Sequence, residues 1–290
     1  MAAIRCRAEL AQEPLELSAA LAYELAPQLC RGGDDRGCAW LHGFWPCLRL
    51  AGLAATPDRH AGFYGAALRA LGPSAGVLIS GAADQGMLAL VLAALPDASV
   101  TVIDSCETPL QLNRRYAEHV GREVQTKRCS VLDYTPQAPF DLVCTHSFFG
   151  QFSREERPRL VAAWRGLLRP GGRVVTAHPL RPSGADEPNR FTSRQETVFR
   201  EQIAQHAGRL AGALGAQLAE VHRLADAYLR ARYGYPVRSA GELAALFEAA
   251  GFDIEQLASG LPPLDAPAGC GGPGLRNAEV QYAHVIARRR

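Results

Sequence analysis

Lysine is almost missing from this chain of 290 residues: Lys127 is the only one, so nearly all of the positive charge is arginine. An enzyme that needs a lysine, as a P-loop ATPase or a pyridoxal-phosphate Schiff-base enzyme does, would have to use Lys127. Its surroundings, Gln125-Thr126-Lys127-Arg128, lack the glycine-rich loop of the first class, and nothing in the chain supports the second. Net charge is equally scarce. With 31 basic and 29 acidic residues the balance is +2, too small a field to gather a polyanion, and general nucleic-acid binding is not expected. No apolar run reaches the roughly 18 residues of a membrane span, and residues 1–9 carry charges where a signal peptide places its apolar stretch. The expectation is a cytoplasmic protein with no membrane partner.

The eight cysteines (6, 30, 38, 47, 106, 129, 144 and 270) contain no C-x-x-C pair. That scatter fits buried reduced thiols better than a zinc site or a disulfide framework, so no metal is expected. Cys30, Cys38, Cys47 and His42 form the only grouping worth testing as ligands. Cys106 and Cys144 read as small buried hydrophobes rather than reactive thiols.

What is present is an ordinary globular composition, 48% hydrophobic and 21% charged. Residues 1–72 read as a helical cap, with helices at Leu15–Leu29 and Pro57–Leu71 around a Gly/Asp loop. From Gly76 short β-rich runs alternate with helical stretches, the pattern of a parallel sheet covered on both faces. Strands are predicted at Val77–Ser80, Ser99–Ile103, Val124–Cys129, Phe140–Cys144 and Arg173–Ala177, making 73–180 a core. Residues 181–238 break the alternation with a loop and two helices, an insertion long enough to act as a lid. The pattern returns over 239–290 with a helix at Ala240–Ala250, a strand at Phe252–Gln256, a Pro/Gly-rich loop and a last strand at Ala278–Ala287.

The most informative stretch is Val77–Gly86, a strand entering a glycine turn and then a helix. Such glycines let the backbone approach a ligand and present helix N-terminal amides to a polar group. Asp104 ends the second strand, where a carboxylate can accept both hydroxyls of a ribose, and Asp133 follows the third, placed to meet an exocyclic amino group. Open α/β sheets bind ligands at these carboxyl ends.

With the Gly81–Gly86 turn, Asp104, Asp133, Phe140–Cys144, Leu167–Val175, Ala250–Ile254 and Tyr282–Ala287 in this order, the chain resembles the class I S-adenosylmethionine (SAM)-dependent methyltransferases. The resemblance covers about 75–180 and 239–290. It implies an α/β, Rossmann-like seven-stranded sheet with helices on both faces, whose last strand inserts antiparallel beside the fifth. It also implies SAM contacts from Gly81, Ala82, Ala83 and Gly86 to the methionine part, from Asp104 and Ser105 to the ribose, and from Asp133 and Tyr134 to the adenine. The family turn is usually G-x-G-x-G, whereas Ala83 and Gln85 stand at its third and fifth positions here. A dinucleotide-binding protein shares Gly81, Gly86 and Asp104 but wants a glycine at 83. A non-methyl reaction on the same scaffold, or a binding protein without catalysis, uses the same residues.

His146, just beyond the fourth strand, is the candidate base, since imidazole titrates near neutrality. Tyr64, Phe148, Phe149 and Arg190 are the candidate acceptor-binding residues, with Phe152, Arg59, His60 and Phe63 nearby in sequence. Arg181, Arg190 and Arg194 frame the insertion, and any that point inward would favour a carboxylate or phosphate on the acceptor. The reaction expected is methyl transfer to N, O or S of a small molecule or peptide, in a monomer or homodimer.

Overall fold

The structure is a computed structural model that describes residues 2–30, 37–54, 56–182, 187–260 and 280–290, with side chains from residue 15 onward. Most of the predicted Gly/Asp loop at 32–37, the Pro/Gly-rich loop after Gly260 and the start of the predicted last strand lie outside the described residues.

Runs of β-branched and aliphatic residues form the strands β1 (Gly76–Ser80), β2 (Ser99–Asp104), β3 (Gln125–Arg128), β4 (Phe140–His146), β5 (Leu168–Pro179), β6 (Phe252–Gly260) and β7 (Tyr282–Arg289). They make one sheet in the order β3-β2-β1-β4-β5-β7-β6. β1 to β5 are parallel, and β7 runs antiparallel between β5 and β6. The chain winds outward from β1 to β3 and then returns to place β4 on the other side of β1. At that reversal the connections leave in opposite directions, opening a crevice at the strands' carboxyl ends.

Parallel strands are buried on both faces, and the pleat sends alternate residues to different cores. Val77, Ile79, Val102, Leu142 and Val175 face one, with α4 (Ala61–Arg69) and α5 (Gly86–Ala94) packed on it. Leu78, Ile103, Val143 and Val174 face the other, where Trp164 of α7 (Arg157–Leu167) and Phe247 of α10 (Ala240–Ala249) are fully buried. After β2, α6 (Glu107–His119) adds Leu110, Tyr116 and Ala117 to the first of these cores.

A third core lies outside the sheet. The N-terminal helices α1 (Ala2–Leu29), α2 (Ala39–His42) and α3 (Trp45–Leu50) meet the insertion helices α8 (Ser193–Leu214) and α9 (Leu218–Ala231). Leu15, Phe44, Leu48, Phe199, Ile203, Val221 and Tyr228 are buried together there. Each segment is amphipathic and lacks a partner of its own, so the two cover each other's apolar faces. A capping box, Thr192 with Gln195, starts α8, and Gly215 at φ 61° ends it.

Several boundaries differ from the sequence reading: α1 begins at Ala2 rather than Leu15, and β6 runs on to Gly260 rather than Gln256. The predicted helix over Pro57–Leu71 is a 3₁₀ turn at Pro57–His60 followed by α4. The fifth strand begins at Leu168 rather than Arg173, because Pro170-Gly171-Gly172 does not end the pairing: a register shift against β4 absorbs it.

Candidate active site

A cavity of about 340 Å³ opens at the carboxyl ends of β1, β2 and β4. One wall comes from the sheet: Gly81 to Asp84 after β1, Asp104 and Ser105 at the end of β2, Ser130 and Val131 after β3, and His146 to Phe148 after β4. The facing wall comes from the helical half: Cys38, Leu41, His42 and Trp45, with Arg232 after α9.

Gly81 has φ 75°, a conformation L side chains rarely adopt, and a Cβ there would stand 2.3 Å from Phe148 Cε2. Glycine is therefore required twice over. Ala83 has no positive φ, so alanine stands at this turn position without strain. Asp104 is fixed from behind: Oδ2 accepts from Ala82 N at 3.0 Å and Oδ1 from Cys106 N at 2.8 Å. Each oxygen keeps a second acceptor position for a ligand hydroxyl. Burial raises its pKa, while the His42 charge and those two amides pull it down.

The turn is also pinned from the helical side. Asp84 Oδ1 accepts from Gly86 N at 2.7 Å and from Arg49 Nη1 at 3.0 Å, with both side chains buried. Arg49 reaches from α3 and also binds Asp58 at 2.8 Å. Sequence reasoning missed Arg49, because nothing in the local pattern of α3 marks it; only the tertiary contact does.

His146 lines the cavity, and its tautomer follows from its neighbour. Tyr64 donates its hydroxyl to Thr145 O at 2.7 Å and accepts from Ala177 N at 2.9 Å. Its one proton is thus used, so at 3.2 Å it can only accept from His146 Nδ1. That leaves Nε2 as a bare acceptor, and this atom is buried without a partner. Burial, then the nearby His60 and His178, hold the imidazole well below its usual pKa and keep it neutral. The next residue, Ser147, sits in the left-handed region at φ 54° with a buried, unpartnered Oγ. Strained backbone beside unsatisfied polar atoms is where ligands are held.

Of the residues singled out from the sequence, Gly81, Ala82, Ala83, Asp104, Ser105, His146 and Phe148 line the cavity. The others fall elsewhere. Gly86 opens α5 and is buried against Arg49 and Asp84. Asp133 is exposed, and Tyr134 packs on Phe140, because the chain turns away after Val131; Ser130 and Val131 hold the wall instead. Tyr64 is fully buried and acts on the site only through His146. Phe149 is core, edge-on to Trp164 and Phe247. Arg190 is exposed, donates to Arg230 O and lies over Tyr233. Among the three framing arginines Arg194 is also exposed, and only Arg181 turns inward, where burial and the charge of Arg232 lower its pKa to about 10.

The suspected thiol grouping is rearranged. Cys47 is buried in the helical core, and Cys106, from the far side of the cavity wall, takes its place beside Cys30, Cys38 and His42. Their separation along the chain, with no C-x-x-C spacing, hid this convergence.

Residues 81–172 match a family model described as a methyltransferase domain. No curated protein matches by sequence. Solved structures that resemble the chain include geranyl diphosphate methyltransferase in complex with SAM, 15% identical over 80% of this chain and 84% of that one, with a TM-score of 0.51. The methyltransferase SibL is 16% identical, covering 85% of this chain and 57% of that one, at 0.51. The pyocyanin biosynthetic protein PhzM is 16% identical over 93% and 62%, at 0.50. At these identities the likeness is one of fold.

Proposed function

We propose that this chain is a class I SAM-dependent methyltransferase, a reading supported by the matched methyltransferase domain and the fold, and that it methylates a heteroatom of a small acceptor carrying a carboxylate or phosphate. The cavity suits the cosubstrate: the Gly81 bend leaves room that a Cβ would fill, and Asp104 keeps open acceptor positions for a diol. When bound, SAM supplies a methyl group already activated on a sulfonium, so alignment of the two reactants accounts for much of the rate.

The protein's own part is positioning and proton handling. Gly81 to Ala83 and Asp104 would hold the cosubstrate, and Ser130 and Val131 would flank its base. Trp45, Phe148 and Phe152 supply apolar walls for the acceptor and exclude water. His146 Nε2 accepts a hydrogen bond from the acceptor heteroatom and takes its proton as the new bond forms, while Tyr64 holds the ring in the required tautomer. Arg232 lines the same cavity with a buried, unpartnered Nε, and Arg181 stands near enough that, after burial, the Arg232 charge lowers its pKa. Two neighbouring cations with unmet donors, one of them on the cavity wall, suit an acceptor anion.

The observations that carry this reading are His146 on the lining of the same cavity as the Gly81 and Asp104 cradle, and the unpartnered Nε2 of its ring. Calorimetry with SAM and S-adenosylhomocysteine tests the first half. The second is tested by label transfer from methyl-labelled SAM to a panel of small hydroxy, amino and thiol acids and phosphates. His146→Gln is expected to lower kcat by about 10²-fold with SAM affinity unchanged. A wild-type protein that binds neither SAM nor its product overturns the proposal. The protein is further proposed to work in the cytoplasm; among the described residues no helix is long and apolar enough to cross a membrane.

A further inference from the structure

Three separate pieces of chain bring four metal-ligand groups to one point. Cys30 follows the end of α1, Cys38 precedes α2 and His42 ends it one helical turn later, and Cys106 stands at the start of α6, two residues after the end of β2. Their ligand atoms all lie within 4.8 Å of one another. Cys38 Sγ is 3.6 Å from Cys106 Sγ, Cys106 Sγ is 3.5 Å from Cys30 Sγ, and Cys30 Sγ is 3.5 Å from His42 Nδ1. All three cysteines are free thiols.

We propose that Cys30, Cys38, His42 and Cys106 bind a structural zinc ion. Zinc bonds of about 2.3 Å to sulfur and 2.0–2.1 Å to nitrogen, set tetrahedrally, separate two sulfurs by about 3.8 Å and a sulfur from a nitrogen by about 3.6 Å. These three contacts fall within a few tenths of an ångström of those edges and the remaining pairs lie within 4.8 Å, so closing the tetrahedron needs only side-chain adjustments. Three sulfurs and one nitrogen are a donor set that suits zinc, and four protein ligands leave no open position for water or substrate. Binding Zn²⁺ displaces to solvent the protons held on the ligating atoms, those of the thiols and that of the His42 ring where it is charged, and forms three Zn–S bonds and one Zn–N bond, with no change of oxidation state.

The surroundings support the ligands. Thr108 Oγ1 lies 3.3 Å from Cys30 Sγ, placed to donate to a thiolate. Asp104 Oδ1 accepts from the backbone N–H of Cys106, which ties the metal position to the carboxylate of the cosubstrate cradle. Cys38 and His42 themselves line the cavity. The ion thus fastens the helical wall of the cavity to the end of β2, where residues otherwise far apart in sequence must stay in register.

The test is metal content. Protein purified without chelator is expected to carry one zinc per chain by plasma mass spectrometry. After chelation, added Co²⁺ is expected to bind one per chain with the d–d bands of tetrahedral cobalt and thiolate-to-cobalt charge transfer. Cys30→Ser, Cys38→Ser and Cys106→Ser should each weaken or abolish retention, and Cys129→Ser should leave it intact. The Co²⁺ titration of the wild type stands even where a variant fails to fold. The proposal is overturned by a metal-free protein that takes up no Zn²⁺ or Co²⁺, by full retention in Cys106→Ser, by preferential isolation with copper or iron, or by a disulfide among these three cysteines. None of these readouts depends on SAM binding.

Discussion

The two walls of the cavity are built differently. The sheet wall uses the ends of β1, β2, β3 and β4, each delivered to the same edge by the parallel topology, with two cores beneath it. The helical wall takes Cys38, Leu41, His42 and Trp45 from the first helices and Arg232 from beyond α9, and it rests on a core shared by chain segments that lie on opposite sides of the sheet in sequence. Backbone pairing delivers the first wall to one edge, with Arg49 pinning its glycine turn; the second exists only when distant segments pack together.

Acid should strain the sheet side most, because it holds imidazoles that fold neutral. Burial, then the neighbouring His284 and Arg59, lower the pKa of His60 to about 3, and burial puts His146 and His178 well below their usual value. In the unfolded chain these groups titrate near the reference value of about 6.5, so below it the unfolded state binds more protons than the folded one. Stability is full above that pH and falls as pH drops, by about 1.4 kcal/mol per pH unit for each histidine, or about 2 kcal/mol each at pH 5. Urea unfolding followed from about pH 7.5 down to pH 5 measures this. With Trp164 as reporter in a chain carrying Trp40→Phe and Trp45→Phe, the sheet's transition should move to lower urea; a midpoint constant across this range would break the contrast.

The joint between the walls comes next in size. Arg49 and Asp84 form a buried pair, so Arg49→Met leaves an unpaired carboxylate beside the glycine turn. The expected cost is about 3–5 kcal/mol by chemical denaturation. Asp58→Asn removes the other partner, which is 47% exposed, and should cost under about 1 kcal/mol. Equal costs for the two would mean that the turn is not held by the buried member.

How much of this could be read in advance follows the same division. The strand–turn–helix at Val77–Gly86 and the position of Asp104 are local patterns, and the structure places both at the cavity. Asp133 shows the limit: it lies near a strand end, but the chain bends after Val131 and turns it to solvent. Arg49, Ser147 and the meeting of Cys106 with Cys30, Cys38 and His42 depend on a contact or a dihedral angle that no spacing rule encodes. Phe149 is expected from sequence among the acceptor-binding residues, and the turn after β4 sends it into the core instead.

Those two carboxylates give a smaller and more pointed test. Asp104→Asn keeps the shape of the side chain but removes its charge and one acceptor, and should weaken SAM binding by about 1.5–3 kcal/mol, roughly 10- to 100-fold. Asp133→Asn lies off the cavity, and a surface change of this kind should alter affinity by no more than about twofold. Calorimetry on the two variants compares them directly. An equal loss in both would restore Asp133 to the cradle.

The smallest effect belongs to the outside of the helical half. Arg200 on α8 donates to Asp226 on α9 at 2.9 Å and to Glu196 at 3.2 Å, holding both carboxylates across the surface of the shared core. Its side chain is 49% exposed, so water already solvates most of the charge and salt screens the rest. Arg200→Ala should therefore cost under about 1 kcal/mol, and less at high salt. Beneath it Phe199 and Tyr228 stack with ring centroids 5.6 Å apart. If apolar burial joins α8 to α9, the Arg200→Ala loss stays small and shrinks with added salt; a salt-insensitive loss of several kcal/mol would show that the helical half depends on its surface ions as the sheet does not.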